Sequence, residues 1–395
     1  MRKVLTPAEP NVAWDGPGDQ HFDSNLNASV PVSVYGAEDW PAIASVWSEL
    51  EGMSPYGSFY LSADWAAAWM EVFGKLLRPQ ILVFEQNSAK IGICLLTSSV
   101  EQRGPFGIRR IYLNTGGERV AERTMMEFNN VLCCPGKEDA VARALWRYLR
   151  TRDWDEFAIQ GIIPGPILTA LEANALPKLP ASVRIHSTYY VDLDQLRQSG
   201  LCYLDSLSSN TRSQIRRSLR YYSGRGEIKV EIAPDVQTAE KYFAEMCRMH
   251  QSTWLARGVE GAFGPGRRLE FHNRLIGKTY EKGTTHLLRV AAGEETIGIL
   301  YNFVQGGKIY FFQSGFNYAR DRRLHPGLVT HCSAIQRYIE MGFNEYDFLA
   351  GDARYKASLA KHSKPLAWVV FARPGIKRAS IELLRVIKRR VKSLW

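Results

Sequence analysis

The sequence predicts an α+β protein made of two related domains in tandem, each with a mixed, mostly antiparallel sheet flanked by helices. Three observations predict this fold class. The chain has 395 residues and 45% hydrophobic side chains, so it can bury two substantial cores. A pattern of strand, turn and strand occurs twice, and a pattern of helix, turn and strand also occurs twice in the same order.

The first repeated block reads as a strand, a polar turn and a second strand. It is LVFEQNSAKIGICLL from Leu82 and LRVAAGEETIGILYN from Leu288, which begin 206 positions apart. Each copy has an apolar run, then a turn, then Ile-Gly-Ile. We expect each copy to form an antiparallel pair of buried strands.

The second repeated block reads as the end of a helix, a short turn and a closing strand. It is RYLRTRDWDEFAIQG from Arg147 and RYIEMGFNEYDFLAG from Arg337, which begin 190 positions apart. Because this separation is smaller than that of the first block, the first copy must carry extra residues between its two blocks. We expect them around EQRGPFGIRRIYLNTGGERV, residues 101–120.

These blocks divide the chain into four parts. We expect a flexible N-terminus over 1–30, a degenerate N-terminal domain over 31–185, a catalytic C-terminal domain over 186–373 and a basic amphipathic helix over 374–395. The body is mildly basic, because residues 375–395 carry seven basic and one acidic side chain of a net charge of +10. Such a helix suits an anionic membrane surface, and the alternative is that it packs on its own domain.

The composition excludes several classes of protein. No apolar run reaches the ~18 residues of a spanning helix, and the first residues lack the apolar core of a signal peptide, so we expect a cytoplasmic protein. Its six cysteines are scattered without zinc-ligand spacing, so we expect no metal. Since the excess charge lies in the last 21 residues, the body does not resemble a nucleic-acid-binding surface.

The two copies differ in polar chemistry after the closing strand. In EYDFLAGDARYK, residues 345–356, the second copy has four polar residues where the first has Phe, Ile, Gly and Pro: Asp347, Asp352, Tyr355 and Lys356. A functional site in the second copy explains this difference. The alternative is that Asp347 caps a turn and Lys356 pairs with it.

The second half of the chain contains further motifs in a recognisable order. They are LSSNTRSQIRRSLRYY from Leu207, EMCRMHQSTWLARG from Glu245, a hairpin at Gly306 and Gly307, FFQSGFNYARDRRLHPG from Phe311, and YDFLAGDARYK from Tyr346. This combination resembles the CelD-like branch of the GNAT acyltransferase superfamily, which is similar to the FemABX aminoacyl transferases. The resemblance covers about residues 207–356 well and the first domain loosely.

The resemblance implies a sheet that splits to admit an acyl thioester, from acyl-CoA or an acyl-carrier protein. It also implies that backbone N–H groups at a helix N-terminus bind the pyrophosphate of the donor, where unpaired donors and a partial positive charge favour an anion. The helix expected here is LVTHCSAIQRYIEMG, from Leu328. The residues expected to contact the donor are Gln313, Ser314, Arg322, Arg323 and Gly327.

Acyl transfer to an amine requires loss of a proton from nitrogen, stabilisation of an oxyanion and protonation of the leaving thiolate. His250 has a pKa suited to the first task, although a buried histidine with satisfied hydrogen bonds is an equally open interpretation. Asp352 is the second candidate base. Tyr355 is the candidate donor to the thiolate.

Four other residues complete the expected site. Lys356 would orient Asp352 or bind a substrate anion, and Asp347 belongs to the same motif. Trp254 and Arg257 are expected to line the substrate channel.

The function expected from these motifs is N-acyl transfer to an amine in bacterial lipid or cell-envelope polysaccharide synthesis. The acceptor would be a lipid amine, such as a sphingoid base, or an amino sugar. One alternative is a FemABX-like transferase that uses aminoacyl-tRNA. Another is a non-catalytic scaffold at the membrane, which would bind no thioester.

Overall fold

The computed structural model describes residues 30–119, 122–175, 179, 181–318, 321, 323–351, 353–375 and 377–379. The chain forms two compact units. Unit 1 extends to Ile185 and includes the chain again from Ala367, and unit 2 is His186–Leu366. Two predicted segments lie largely outside the described residues, namely the N-terminus over 1–30 and the basic helix over 374–395.

Unit 1 begins with a short strand and three helices, which four strands follow. Its strands are β1 (Val32–Tyr35), β2 (Gln80–Gln86), β3 (Ala89–Arg103), β4 (Phe106–Leu113), β5 (Leu132–Cys133) and β6 (Glu156–Ile162). Its helices are α1 (Trp40–Met53), α2 (Ala63–Trp69), α3 (Lys75–Leu77), α4 (Glu138–Arg150) and α5 (Pro166–Ala173). A π-helical turn over Met70–Gly74 joins α2 to α3.

Two strands cross the boundary between the units, and the other elements that follow belong to unit 2. The strands are β7 (Ala181–Asp192), β8 (Ile228–Ile232), β9 (Thr285–Ala292), β10 (Glu295–Gln305), β11 (Lys308–Phe316), β12 (Glu345–Ala350) and β13 (His362–Ala372). The helices are α6 (Leu193–Ser199), α7 (Tyr203–Ser206), α8 (Ser209–Ser223), α9 (Val236–Leu255), α10 (Arg267–Thr279), α11 (Pro326–Glu340) and α12 (Arg354–Leu359).

The two units have the same arrangement of strands. In unit 1 the order is β1-β2-β3-β4-β6-β13, and in unit 2 it is β8-β9-β10-β11-β12-β7. In each sheet one inner pair is parallel, β4 with β6 and β11 with β12, while the other strand pairings of the described residues are antiparallel. The predicted fold class is therefore confirmed.

The end of unit 2 differs from the boundary expected at residue 373. Ala367–Ala372 of β13 pair with β6, so this part of the strand completes the sheet of unit 1. Apolar side chains of this segment, including Val369 and Phe371, are buried in the core of unit 1. Lys377, which follows, lies 3.2 Å from a carboxylate oxygen of Asp155 in unit 1.

The strand of unit 1 that corresponds to β11 is interrupted. Residues 114–131 form an excursion that separates β4 from β5. In unit 2, Gly298 of β10 pairs with Phe316, the last residue of the continuous strand β11. In unit 1 the matching Gly92 pairs with Cys133 of β5, because the chain leaves the sheet after Leu113 and returns at Leu132. The extra residues expected over 101–120 thus overlap this excursion only in part, since it begins at residue 114 and ends at 131.

The excursion occupies the place where β4 and β6 diverge. These strands pair in parallel only from Arg110 to Tyr112, and beyond that point Asn129 forms a bridge with Ile162 of β6. The Asn114 side chain donates a 2.6 Å hydrogen bond to the side-chain oxygen of Asn129, which fixes the returning segment. The diverging strands of unit 1 leave a gap, and the backbone of the returning segment closes it.

Helix α9 is held in unit 2 by one apolar face. Asp235 caps its first turn by accepting a 2.7 Å hydrogen bond from the N–H of Thr238. Its buried residues recur every three or four positions: Ala239, Phe243, Met246, Cys247 and His250. At Gly315 of β11 the helix lies so close that a Cβ would collide with the carbonyl of Met246. The opposite face of α9 is left for other contacts.

Candidate active site

The candidate site lies where β11 and β12 separate. The two strands pair in parallel over three residues, from Lys308 to Tyr310, and then diverge. Strand β11 continues along β10 as far as Phe316, whereas β12 bulges after Asp347 and ends at Ala350. The residue in the bulge is Leu349, with a φ of 62°. The resemblance implied a split of this kind.

A cluster of aromatic rings, most of them buried, packs beside the split. They are Phe311, Phe316, His331, Tyr346, Phe348 and Tyr355. The His331 ring centre is 4.5 Å from that of Phe311, and its plane stacks on Tyr355 at 5.7 Å. Burial, with a smaller effect of Lys356, lowers the pKa of His331 to about 3. The histidine is therefore a neutral part of an aromatic wall.

Tyr355 is placed at the edge of this wall. Burial, and then the nearby Tyr318, raise the pKa of its phenol above the ordinary range. No hydrogen-bond partner of this hydroxyl is found among the described residues. A phenol that keeps its proton at neutral pH is suited to donate a hydrogen bond to an anion such as a thiolate.

Lys356 contacts the backbone at the end of β12, and the two roles expected for it stay predictions. Its ammonium donates to the carbonyls of Leu349, at 3.0 Å, and Ala350, at 2.6 Å, so it ties α12 to the end of β12. Gly351 lies between these groups with a φ of 127°, a region open mainly to glycine. Asp352, the next residue, lies outside the described residues, so its expected role stays a prediction.

Asp347 is fully buried and is paired with Lys364 rather than with Lys356. One carboxylate oxygen lies 3.0 Å from the Lys364 ammonium, and the other accepts hydrogen bonds from the Leu349 N–H and the Thr188 hydroxyl. The turn capping considered in the sequence is present, but the expected lysine partner is not. Since the side chain is 0% exposed, its geometry favours a structural role over contact with a substrate.

His250 makes hydrogen bonds through both ring nitrogens. Its Nδ1 lies 3.1 Å from the carbonyl oxygen of Ser314, and its Nε2 accepts from the N–H of Ala262 at 3.2 Å. These contacts require a neutral ring with the proton on Nδ1. Burial lowers the pKa of His250. The geometry agrees with a satisfied buried histidine, which holds the loop after α9 against β11.

The residues expected to contact donor phosphates surround the start of α11. Gly327 packs on Phe316, and a Cβ there would lie 3.1 Å from that ring. Arg323 is exposed and forms a bidentate ion pair with Asp321, which lowers the pKa of that carboxyl to about 2. Arg217 of α8 reaches the same loop and donates to the carbonyl of Arg323 at 2.8 Å.

The remaining donor-site candidates are occupied by contacts within the protein or lie outside the described residues. Gln313 accepts from the N–H of Ser314 at 3.1 Å, and the carbonyl of Ser314 faces His250. Arg322 is outside the described part of the chain. Arg217 lies within the motif LSSNTRSQIRRSLRYY, but nothing local in the sequence indicates that α8 meets the loop before α11.

A groove of about 620 Å³ lies between α9 and the end of β11. It is lined by Glu245, Arg248, Met249, Ser252, Thr253, Ala256 and Arg257 of α9 and the chain after it, and by Phe316, Asn317 and Tyr318. Arg257 was expected to contact substrate and lines the groove. Trp254 does not line it directly, but its ring supports the Arg257 guanidinium at 5.3 Å.

Sequence reasoning missed Glu245, Arg248 and Tyr318. A signal for the first two was present, because groove residues recur at positions 245, 248, 249, 252, 253 and 256, a single helical face. That face is opposite the buried one. Tyr318 follows β11, and no periodicity marks it.

Two features are absent from the described residues. No group of three or more His, Cys, Asp or Glu side chains there is arranged to hold a metal ion. Within the same residues, none of the helices combines the length and apolar character needed to cross a bilayer.

Comparison with known proteins gives one family match. Residues 209–357 match the acetyltransferase (GNAT) domain model. No curated protein matches the chain significantly.

Solved structures similar to the chain include FemX, with a TM-score of 0.54 at 12% identity over 82% of this chain and 95% of that one. They also include L-PGS from Bacillus licheniformis, with a TM-score of 0.45 at 10% identity over 74% and 84% of the two chains. A tandem GNAT protein from the clavulanic acid biosynthesis pathway has a TM-score of 0.45 at 10% identity over 88% and 100%. The FemX similarity supports the fold alone.

The family match falls on the unit whose strands diverge beside a cluster of aromatic rings, and the FemX similarity covers both units. These observations agree with the resemblance found in the sequence. Residues 209–357 belong to the acetyltransferase (GNAT) domain family, within a chain that has a tandem α+β fold.

Proposed function

We propose that unit 2 transfers an acyl group from a thioester, acyl-CoA or an acyl-carrier protein, to the nitrogen of an amine. The observation that carries this proposal is the divergence of β11 and β12 after three paired residues. In unit 1 the corresponding divergence is crossed by the chain's own segment at Asn129. A thioester arm therefore has a place between strands in unit 2 alone.

The donor is proposed to run along β11 with its phosphates near the N-terminus of α11. That helix presents unpaired N–H groups and the positive end of its dipole. Arg217 and Arg323 lie at the loop that leads into it, and Gly327 allows close approach. The aromatic wall of the split provides apolar contacts for the acyl-pantetheine part.

The acceptor is proposed to occupy the groove between α9 and residues 316–318. Phe316 connects the two parts of the site, because its ring lines the groove and lies 5.9 Å from His331 beside the split. We retain a lipid amine or an amino sugar as the acceptor class, in lipid or cell-envelope polysaccharide synthesis. A peripheral membrane contact through residues 374–395 belongs to the same proposal.

In this mechanism the amine nitrogen attacks the thioester carbonyl, the C–N bond forms and the C–S bond breaks. The nitrogen must lose a proton, and the sequence predicts Asp352 for this task. Tyr355 is proposed to stabilise the departing thiolate by a hydrogen bond. Because its pKa is raised, the phenol remains neutral while it does so.

The test of the proposed function is donor binding. Acyl-CoAs of graded chain length should raise the melting temperature, since a ligand that binds the folded state stabilises it by mass action. Calorimetric titration should give one site per chain, because the gap in unit 1 is closed by Asn129. Two equivalent sites would contradict this division between the units, and no stabilisation by any acyl-CoA or acyl-carrier thioester would contradict thioester binding.

Replacing Tyr355 by phenylalanine should lower kcat by about 10- to 100-fold, the usual value of a hydrogen bond to a charged group. The ring and its stack on His331 are kept, so stability should change little. The control is Tyr242→Phe, which removes a hydroxyl that hydrogen-bonds to Glu231 and does not line the groove. Unchanged turnover in Tyr355→Phe would exclude the proposed contact with the thiolate.

A further inference from the structure

We propose that the groove along α9 binds an acceptor that carries an anionic group as well as its amine. Glu245 would bind the ammonium before the nitrogen loses its proton, and Arg248 and Arg257 would bind the anion, a phosphate or a carboxylate. This inference rests on the proposed function, because it assigns a substrate class to the groove named there as the acceptor site.

The first argument is that these three charges have no ion-pair partner within the described part of the chain. Other arginines of unit 2 do have one, such as Arg225 with Glu295 and Arg289 with Glu231. Glu245 and Arg248 are one helical turn apart, yet they do not bond to each other. Both instead line the same concave surface.

The second argument is their spacing. The rise of an α-helix is about 1.5 Å per residue, so Arg248 lies about 4.5 Å along the axis from Glu245. Arg257 lies beyond the end of the helix at Leu255, at the other end of the groove lining. An amine with an anion a few bonds away would meet Glu245 and Arg248 together. The cation–π contact with Trp254 orients the guanidinium of Arg257 before a ligand binds, which favours a second contact with a longer acceptor.

The third argument separates these arginines from the proposed phosphate site of the donor. Side chains of β10 alternate between the two faces of the sheet. Leu300 packs in the core that includes Val329 of α11, whereas the ring of the next residue, Tyr301, contacts Phe243 of α9. Helices α9 and α11 therefore lie on opposite faces. A donor with its phosphates at α11 leaves Arg248 and Arg257 free for the acceptor.

Arginine protection in the full chain tests the proposal without requiring turnover. The protein is treated with phenylglyoxal in the presence of matched amines, and modified peptides are quantified by mass spectrometry. In each pair the first amine carries an anion that the second lacks. The pairs are phosphoethanolamine with ethanolamine, and lysine with 1,5-diaminopentane. We expect at least one anionic amine to slow modification of Arg248 severalfold, and its partner to give no protection. Arg274, an exposed arginine of α10, is the control site.

The two pairs distinguish a phosphate from a carboxylate. Equal protection by both members of a pair, or no protection by either anionic amine, would overturn the proposal. Protection by acyl-CoA rather than by the amines would also overturn it, because the groove would then bind the donor, while the proposed acyl transfer would stand. Conversely, protection by an anionic amine in a protein that no acyl-CoA stabilises would support this inference while the proposed function fails.

Steady-state kinetics with the amine that protects Arg248 give an independent measurement, because turnover can be followed by the release of CoA. Arg248→Gln should raise KM for the anionic amine at least tenfold, and Glu245→Gln should raise KM for both members of a pair. Arg274→Gln, far from the groove lining, should leave both values unchanged. Equal effects of Arg248→Gln on charged and uncharged acceptors would show that the arginine supports the helix alone and would overturn its role in selectivity.

Discussion

Lowering the pH from about 7.5 to about 5.5 should reduce the free energy of unfolding of unit 2 by about 4 kcal/mol through three histidines, of which two are buried and one is partly buried. Burial lowers the pKa of His272 and His331 to about 3 and that of His286 to about 4. In the unfolded chain each would titrate near its ordinary pKa of about 6.5. The folded unit therefore binds fewer protons than the unfolded chain throughout this interval.

The sign follows from that difference. The stabilisation from the neutral histidines is fully present above about pH 6.5. It falls as the pH decreases towards the folded pKa values, by about 1.4 kcal/mol per histidine for each pH unit. Each ring is held neutral among apolar groups. His272 lies among aromatic rings with its Nδ1 3.3 Å from the Tyr301 hydroxyl, and His286 stacks on Tyr338 at 5.8 Å.

Denaturant titrations at the two pH values measure this effect, and hydrogen exchange locates it. Replacing His286 by phenylalanine keeps a ring on Tyr338 and should remove about a third of the pH dependence. His362→Gln, at a histidine of β13 outside this group of three, is the control. Unit 1 has no histidine among its described residues, so its exchange should change less. Equal stability at both pH values would refute the neutral state of these rings.

The repeated sheet could be predicted because its signal is local. The apolar runs around Leu82 and Leu288 fold into matching antiparallel pairs, and the blocks at Arg147 and Arg337 end in the matching parallel strands β6 and β12. Strand patterns of this kind depend on burial of alternate or successive side chains, which the sequence displays directly. The same blocks identified the copy whose closing strand is followed by polar residues.

What could not be predicted depends on contacts between distant segments. Nothing near Ala367 indicates that it pairs with Ile162, because any apolar strand satisfies the same pattern. The groove arises from a solvent-facing helix surface that meets residues 316–318, and charge on such a surface is usually solvated. The tautomer of His250 likewise depends on two backbone groups from separate loops, at Ala262 and Ser314.

Lys364 was missed for the same reason, and it supports the last prediction. Replacing Lys364 by methionine should cost about 3–5 kcal/mol of unfolding free energy, because it leaves the Asp347 carboxylate buried without a cation. Asp347→Asn should cost less, since Lys364 keeps a 2.6 Å contact with Glu345. The double variant should be more stable than Lys364→Met alone, because both charges are then absent.

Denaturant titration of the two single variants and the double variant forms a cycle that isolates the coupling between Asp347 and Lys364. Lys308→Met is the matched control. The side chain of Lys308 is 45% exposed and its ammonium lies 4.0 Å from the carboxylate of Glu345, and such an exposed ion pair contributes at most about 1 kcal/mol to stability. If Lys364→Met cost no more than Lys308→Met, the buried pair would not stabilise unit 2. Two results together would establish that Asp347 maintains the end of β12 and takes no part in the chemistry. They are a large loss of stability in Lys364→Met and normal turnover by the folded fraction of Asp347→Asn.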